Sequence, residues 1–288
     1  MMRGMSIKTM ARKWIVTCLE RGIAWTHLDL DRLANKRLGI LQYQTPQISG
    51  EEHFLTKVFP ELLASMNGRP LVLDGGANEG DFASLVLDAV PDCEVHCFEP
   101  NPPTLARLVE RLGHDGRVRL NGVAVGETPA TAEIFDYAER DGSQHASLYA
   151  DVLTTQHRAV AVTGTRVPIV RLDDYIEEHK LREISLLKLD LEGHELAALR
   201  GTQSAIRRGG VAAVHFEFNE MNVISRTFLR DFYAALPDFS FYRLRQDGMI
   251  PLGVYSAKHE VFQYQNIVAL RADLNRDVVG RHCVKVLW

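Results

Sequence analysis

Cysteine is scarce in this chain of 288 residues, and the few cysteines that it has form no recognisable cluster. The gaps between them are irregular and none belongs to a C-x-x-C pair, which argues against a zinc quartet. Thiols that pack in the core are the simpler interpretation, and a reduced, cytoplasmic compartment fits them best. The four positions are Cys18, Cys93, Cys97 and Cys283.

Charge of one sign and long apolar runs are also lacking. The formal net charge is −4 and the sequence pI is near 6.3, so binding to nucleic acid is not implied. Near the N-terminus the longest apolar run covers only residues 14–19, far short of the roughly 20 residues that a membrane span needs. No small-residue cleavage site follows it, so a signal peptide is not expected. The sequence therefore predicts a soluble protein.

Neither an internal repeat nor a low-complexity segment is present, and the periodicity divides the chain into two parts. Residues 1–68 have helical spacing and are expected to form an N-terminal extension. Its first, amphipathic helix is expected to pack on its own domain or across a homodimer, and a membrane-surface or partner-docking helix is the alternative. A second helix is expected to start at a capping box in residues 49–52 and to end at Gly68. The loop at 43–50 is placed to lie over a cofactor or substrate.

From residue 69 to 288, apolar strands alternate with helices, as in a mostly parallel sheet covered on both faces. The segments 239–244 and 262–270 have no helix between them and are expected to form an antiparallel pair at the sheet edge. Residues 126–170 are expected to be an insertion with short strands near the mouth of the site. The fold class is therefore α/β, Rossmann-like and doubly wound. Strands are expected at 71–74, 94–98, 118–125, 184–190 and 211–218, and helices near 80–90, 102–112, 193–207 and 225–235.

The most informative segment is DGGANEG, residues 74–80, between an apolar strand and a helical pattern. A strand that enters a glycine turn and leaves through a helix builds a nucleotide-type cofactor site. The spacing lacks the G-x-G-x-x-G of a dinucleotide site. It is D-x-G-x-x-x-G, which resembles the first motif of S-adenosylmethionine (SAM) methyltransferases. The residues assigned to the cofactor here are Asp74, Gly75, Gly76, Ala77, Asn78 and Gly80.

Two further strand ends carry acids. Glu99, followed by a stiffening Pro100, ends the next strand and is placed to accept hydrogen bonds from both ribose hydroxyls. A later strand delivers Asp190, Glu192 and His194 within a few residues before a helix begins. Because the carboxyl ends of the strands line the ligand crevice of an open α/β sheet, this cluster is expected to face the glycine turn.

The segment LLKLDLEGHELAALRG, residues 186–201, resembles the signature of FkbM-family methyltransferases. The segments VLDGGANEGDF, VHCFEPNP, NGVAVGE, ASLY and VRLDDYI follow in the family's order, so the resemblance covers about residues 45–270. It implies a seven-stranded class I fold that uses SAM to methylate a hydroxyl of a sugar, glycan or polyketide-type natural product. Carried over by position, it implies SAM contacts from Asp74, Gly76 and Gly80 and a ribose contact from Glu99. It also implies adenine contacts from Asn121 and Ala124, and it places Asp190 at the methionine and methyl-transfer end of SAM.

Methyl transfer to a hydroxyl requires positioning, exclusion of water and removal of a proton. The candidate bases are His194, Glu192, Glu217 and Asp190. The position of His194 varies within the family, so a histidine base is no family-wide rule, and a solvent-exposed residue at a helix start is the alternative. Asp190 and Glu217 with His215 are a possible magnesium set, which no spacing signature supports, so no metal ligand is assigned.

Two other functions stay open at this point: an NAD(P)-dependent oxidoreductase on a related sheet, and a SAM-binding partner protein without turnover. The missing dinucleotide fingerprint disfavours the first, and the intact acid cluster disfavours the second. The partner is expected to be a small molecule or glycan. Its choice is assigned to residues 139–166, residues 219–226 and the N-terminal helices, where Ser147 and Tyr149 are either substrate contacts or surface residues.

Overall fold

The computed structural model describes residues 14, 16–18, 29–137, 147–149, 151, 162–274 and 276–284. The first amphipathic helix, with the homodimer contact expected of it, lies outside these residues except for Trp14 and 16–18, which are helical and exposed. Within the described part of the chain, no helix is both long enough and apolar enough to cross a membrane.

The strands and helices follow the alternation that the sequence predicts. In chain order the strands are β1 (Leu71–Gly75), β2 (Glu94–Phe98), β3 (Val118–Asn121), β4 (Ala124–Gly126), β5 (Ala130–Tyr137), β6 (Val162–Arg171), β7 (Leu186–Leu189), β8 (Ala213–Phe218), β9 (Phe239–Arg245), β10 (Gly248–Pro251) and β11 (Gln265–Arg271). The α-helices are α1 (Leu30–Arg37), α2 (Pro46–Ser49), α3 (Glu51–His53), α4 (Phe59–Leu63), α5 (Asp81–Ala89), α6 (Pro102–Leu112), α7 (Leu172–Glu178), α8 (Glu195–Arg200), α9 (Gln203–Arg207), α10 (Met221–Ile224), α11 (Leu229–Ala235) and α12 (Arg276–Arg281).

The central sheet has the strand order β10-β9-β11-β8-β7-β1-β2-β3. Its five strands from β8 to β3 run parallel, whereas β11 is antiparallel to both β8 and β9. The predicted Rossmann-like α/β sheet with its antiparallel edge pair is thus confirmed. One strand comes in addition to the expected seven, because β10, predicted as loop, folds back on β9 and buries Met249 and Ile250.

The insertion forms a separate three-stranded sheet in the order β4-β6-β5. The predicted strand at 118–125 is divided between the two sheets, since β3 pairs with β2 and β4 pairs with β6. The chain changes direction at Gly122, where a Cβ would lie 2.8 Å from the side chain of Leu105. This division brings β4 beside the carboxyl edge of the central sheet, where the candidate site lies.

The capping box predicted at residues 49–52 is wrong. Thr45 caps α2 instead, and Gly50 separates α2 from α3 with a left-handed φ of 89°. The Ser49 hydroxyl donates to a carboxylate oxygen of Glu51 (2.9 Å) rather than starting a helix. Glycine is required at residue 50 because a Cβ there would lie 2.5 Å from the backbone nitrogen of Arg245 in β9. The N-terminal segment is therefore packed closely against the sheet.

The helix after this break contains a π-helical turn, Phe54–Val58, immediately before α4. Pro60 lies in the first turn of α4, directly after the π-helical turn. The helix ends at Leu63 rather than at Gly68, although Gly68 does have the positive φ (92°) expected of a helix-ending glycine.

Apolar side chains of β1 alternate between two buried clusters on opposite faces of the sheet. Val72 belongs to the cluster with Phe54 of the N-terminal segment, and Leu73 belongs to the cluster with Leu199 of α8. Burying a side chain of this size contributes about 1.5–3 kcal/mol. The sheet is therefore fixed from both sides, which holds the ends of β1, β2, β7 and β8 at one rigid edge.

Candidate functional site

The glycine turn after β1 is held in place by backbone hydrogen bonds that it donates to the end of β2. The N–H groups of Gly76 (3.0 Å) and Ala77 (3.1 Å) both donate to the carbonyl oxygen of Phe98. Gly76 has a φ of 75°, and a Cβ on it would collide with the carbonyl oxygen of Asp190. Asn78 adopts the left-handed region as well (φ 49°), which asparagine tolerates better than most residues. The turn thus presents bare backbone at the carboxyl edge.

A buried lysine that the sequence analysis did not assign ties this turn to the acid cluster. The Lys188 ammonium lies 3.2 Å from a carboxylate oxygen of Asp74 and 3.4 Å from one of Asp190, and it donates to the carbonyl of Gly76 (3.0 Å). Asp74 is 0% exposed. Burial acts to lower the pKa of Lys188, but the carboxylates of Asp74 and Asp190 outweigh it and raise the pKa above its usual range. Lys188 therefore carries a fixed positive charge beneath the turn.

Glu99 at the end of β2 is aimed at the turn. Its carboxylate accepts hydrogen bonds from the backbone N–H groups of Asn78 (2.9 Å) and Asn101 (2.8 Å). Burial raises the pKa of Glu99 to about 7, against the effect of these two hydrogen bonds. The bonds fix the carboxylate in one orientation at the cavity wall.

The loop after β7 has a strained backbone, and the side chain of Glu195 stabilises it through hydrogen bonds. Glu192 (φ 51°) and Gly193 (φ 98°) both lie in the left-handed region. One carboxylate oxygen of Glu195 accepts hydrogen bonds from the backbone N–H groups of Leu191 (2.8 Å) and Gly193 (3.0 Å). Glu195 is 2% exposed, and its burial raises the pKa to about 7. Its function is thus to hold the loop that carries Asp190 and Glu192.

His194 lies at the start of α8, as expected, but it is partly buried against the second sheet instead of exposed. Its Nδ1 is 3.1 Å from the hydroxyl of Tyr149, and its Nε2 lies beside the backbone of Gly126. Burial lowers the pKa of His194, so the ring is neutral at physiological pH. The Ser147 hydroxyl donates to the carbonyl of Glu192 (3.1 Å). Ser147 and Tyr149 therefore join the insertion to the acid loop.

Glu217 extends from β8 into the same region. Its carboxylate is hydrogen-bonded by the side-chain amide of Asn219. Burial, together with the negative charges of Asp190, Glu192 and Glu195, raises the pKa of Glu217 well above its usual range. Two residues before it, His215 is buried beside Phe54 and Phe82, on the face of β8 that the alternation predicts.

These elements surround a cavity of about 630 Å³. Nine of the predicted site residues line it: Gly76, Asn78, Glu99, Pro100, Ala124, Asp190, Glu192, His194 and Glu217. The wall also includes Tyr43, from the loop predicted to lie over the site, and Leu41 and Tyr264, which no sequence pattern indicated.

Five predicted residues do not line this cavity. Asp74 is buried under the turn, and Ala77 lines a smaller neighbouring cavity. Gly75 packs against Leu189 of β7. Gly80 packs against α6, and the Asn121 side chain donates to the carbonyl of Cys97 (3.0 Å), which joins β3 to β2.

The possible magnesium set does not come together. In the part of the chain that the structure describes, no group of three or more His, Cys, Asp or Glu side chains is arranged to hold a metal ion. Asp190 is paired with Lys188, and burial lowers the pKa of His215 to about 4 in surroundings that lie away from the large cavity.

This chain is similar in sequence to known methyltransferases. The family description of the FkbM methyltransferase domain matches residues 74–247. The chain is 26% identical over 178 residues to the 2-O-methyltransferase NoeI of Sinorhizobium fredii, covering 59% of this chain and 72% of that protein. It is 27% identical over 186 residues to the 31-O-demethyl-FK506 methyltransferase FkbM of Streptomyces tacrolimicus, covering 54% and 71%. It is 24% identical over 148 residues to the hexuronic acid methyltransferase AglP of Haloferax volcanii, covering 51% and 55%.

The matched region begins at Asp74 of the glycine turn and ends after β9, and it includes the acid loop and Glu217. It spans more than half of the 288 residues. The chain therefore belongs to the FkbM methyltransferase family and is a SAM-dependent methyltransferase.

Proposed function

We propose that this protein transfers the methyl group of SAM to a hydroxyl of a sugar, glycan or polyketide-type natural product. The names of its relatives support an oxygen acceptor: one is a 2-O-methyltransferase, one acts on 31-O-demethyl-FK506, and one is a hexuronic acid methyltransferase. The observation that carries the proposal is the cavity itself. Its lining includes Glu99, a carboxylate placed to bind ribose, together with the potential proton acceptors Asp190, Glu192, His194 and Glu217.

The residues present fit SAM as the donor. Gly76 lines the cavity without a side chain, and Glu99 has the fixed orientation needed to accept from two ribose hydroxyls. Pro100 and Ala124 would form part of the adenine wall. A cavity of about 630 Å³ lies within the usual range of about 300–1,000 Å³ for small-molecule sites. When bound, SAM supplies a methyl group on a sulfonium, and its thioether needs no acid to leave.

We assign the general base to Glu217. Its raised pKa makes it a stronger proton acceptor than an ordinary carboxylate, and it faces the cavity. Asp190 is less suited because its carboxylate is paired with the Lys188 ammonium, 3.4 Å away. His194 has its Nδ1 engaged by Tyr149 and its Nε2 beside Gly126, so we assign it to positioning the loop. In this assignment Glu217 would take the proton of the acceptor hydroxyl, and bound SAM would supply the methyl group.

The proposed acceptor wall is assembled from three separate regions of the chain. Leu41 and Tyr43 come from the N-terminal segment, Leu148 from the insertion, and residues 219–221 from the turn after β8. Tyr43 is 55% exposed and lies edge-on to Tyr264, with ring centroids 5.7 Å apart. Apolar faces next to amide and carboxyl groups suit an acceptor that is apolar on one side and hydroxylated on the other.

Methyl transfer from labelled SAM to a panel of sugar nucleotides, glycolipids and macrolides tests the proposal. With the acceptor found in this way, Glu217→Gln should lower kcat by about 10²–10⁴-fold, the usual contribution of a general base, while the Kd for SAM stays unchanged. His194→Ala should lower kcat much less, and Glu110→Gln at an exposed position is the matched control.

Two results would contradict this assignment. Near-full turnover of Glu217→Gln at saturating acceptor would remove Glu217 as the base. Calorimetry that detects binding of NADH, but not of SAM or its demethylated product, would contradict the donor itself.

A further inference from the structure

A second cavity, of about 230 Å³, adjoins the large one and shares Gly76, Asn78 and Asp190 with it. Its remaining wall comes from the start of α5, from Lys188, and from the N-terminal segment, which contributes Pro46 and Glu51. A ligand whose nucleoside end lies at Glu99 can therefore extend past the glycine turn into the smaller space.

Glu51 is held at this wall by the break between α2 and α3. The left-handed Gly50 packs against the backbone of Arg245, and the Ser49 hydroxyl donates to one carboxylate oxygen of Glu51 (2.9 Å). The other oxygen lies 3.9 Å from Nε2 of His215. Burial raises the pKa of Glu51, and the charge of Lys188 acts in the opposite direction. The side chain is thus oriented by local contacts before any ligand binds.

The charges around this cavity do not balance. Of the carboxylates that line it, Asp81 is paired with Arg111. Glu51 and Asp190, with Asp74 buried beneath the turn, carry three formal negative charges, and Lys188 carries one positive charge. Lys188 lies 3.2 Å from Asp74 and 3.4 Å from Asp190. Among the described residues, no Lys or Arg nitrogen lies within 4.0 Å of Glu51, and His215 is neutral at physiological pH because burial lowers its pKa to about 4. A largely buried carboxylate with no Lys or Arg nitrogen in direct contact is costly, so this wall is suited to a cationic group of a ligand.

We propose that Glu51 binds the α-ammonium group of SAM, an inference that rests on the proposed function for the identity of the donor. The amino-acid end of SAM carries this ammonium group several bonds from the nucleoside. With the ribose at Glu99, the amino-acid end would pass Gly76 and reach Glu51 in the smaller cavity. The N-terminal segment then supplies a binding residue to the donor site from outside the region that the family description matches.

Two ligands that differ at the amino-acid end test this assignment by calorimetry. The demethylated product of SAM carries the ammonium group, whereas 5′-methylthioadenosine has the same nucleoside and lacks the amino acid. Glu51→Gln should weaken binding of the demethylated product by about 10- to 100-fold, the usual range for a charged hydrogen bond, and should leave binding of methylthioadenosine unchanged. Glu61→Gln, in the same segment but paired with Arg281 at the surface, should change neither.

A second variant keeps the test decisive if Glu51→Gln does not fold. Glu51→Asp keeps the charge but withdraws the carboxylate by one methylene, so it should give a smaller loss confined to the demethylated product. Equal losses for both ligands, or no loss for either, would overturn the assignment. If the wild-type protein binds methylthioadenosine but not SAM or its demethylated product, Glu51 has no such role. If it binds none of the three, the donor proposal fails first.

Discussion

Replacing Lys188 by methionine should destabilise the protein through a charge left without its partner. The ammonium lies within 3.4 Å of Asp74 and Asp190, and Asp74 is 0% exposed. Methionine keeps the volume and the apolar stem but removes the charge and the hydrogen bond to the carbonyl of Gly76. The side chain of Asp190 is 41% exposed, so water can solvate its carboxylate when the ammonium is removed. The buried carboxylate of Asp74 is not solvated in this way.

The size of the expected loss of stability follows from the burial of the Lys188–Asp74 ion pair. Removing one partner of a buried ion pair costs about 3–5 kcal/mol, a large part of a total stability of about 5–15 kcal/mol. At roughly 2–4 °C per kcal/mol, the Tm should fall by about 6–20 °C. Asp74→Asn in the same molecule removes the uncompensated charge and should recover about 0.5–3 kcal/mol.

The destabilisation of Lys188→Met should also depend on pH. Burial raises the pKa of Asp74, and Lys188 opposes this effect, so removing Lys188 raises that pKa further. A carboxyl whose folded pKa exceeds its unfolded pKa stabilises the fold below the unfolded value, and this contribution is lost as the pH rises through the folded value. The difference from wild type should therefore be smallest near pH 4 and should grow toward pH 8.

Urea unfolding of wild type, Lys188→Met and the double variant at several pH values measures all three effects. Lys57→Met, at an exposed position, is the control and should change the free energy of unfolding by less than about 0.5 kcal/mol. A loss of under 1 kcal/mol in Lys188→Met, or a double variant less stable than the single one, would refute the role assigned to Lys188.

Two further predictions concern the turn and the acid loop. Gly76→Ala should abolish the SAM-induced rise in Tm, because its Cβ meets the Asp190 carbonyl; Gly253→Ala, which has a similar φ in open space, should retain that rise. Equal behaviour of the two variants would contradict a steric cause. Burial raises the pKa of Glu195 to about 7, so its contribution to stability is lost as the pH rises from its unfolded value through about 7. Glu195→Gln should flatten the pH dependence of the unfolding free energy over that interval, whereas Glu110→Gln should leave it unchanged. If the slope is the same in Glu195→Gln as in wild type, Glu195 is not the source of the pH dependence.

The part of the site that could be predicted from sequence follows from strand ends. Gly76, Glu99 and Asp190 each directly follow or end an apolar strand, and parallel strands bring such positions to one edge. The same reasoning placed Glu217 on the opposite face of β8 from its two phenylalanines. The local sequence pattern and the topology of a parallel sheet together were sufficient to predict where these residues lie.

The remaining features depend on partners far away in the chain. Lys188 is embedded in an apolar strand, and its partner Asp74 lies 114 residues before it, so no local pattern indicates the pair. The predicted capping box at Ser49 failed because Gly50 is set by contact with Arg245 of β9. Glu51 and Tyr264 reach the cavity walls only through such long-range packing, which periodicity does not describe.

The proposed acceptor wall has a consequence for engineering this protein. Residues 41–43, residue 148 and residues 219–221 are connections outside the strands of either sheet, whereas the hydrogen bonds that fix Gly76 and Glu99 come from the strands and their turns. We therefore expect exchange of these connections to alter acceptor preference while the donor turn stays intact. For engineering, a graft of residues 219–226 is the most contained way to give this scaffold a new acceptor.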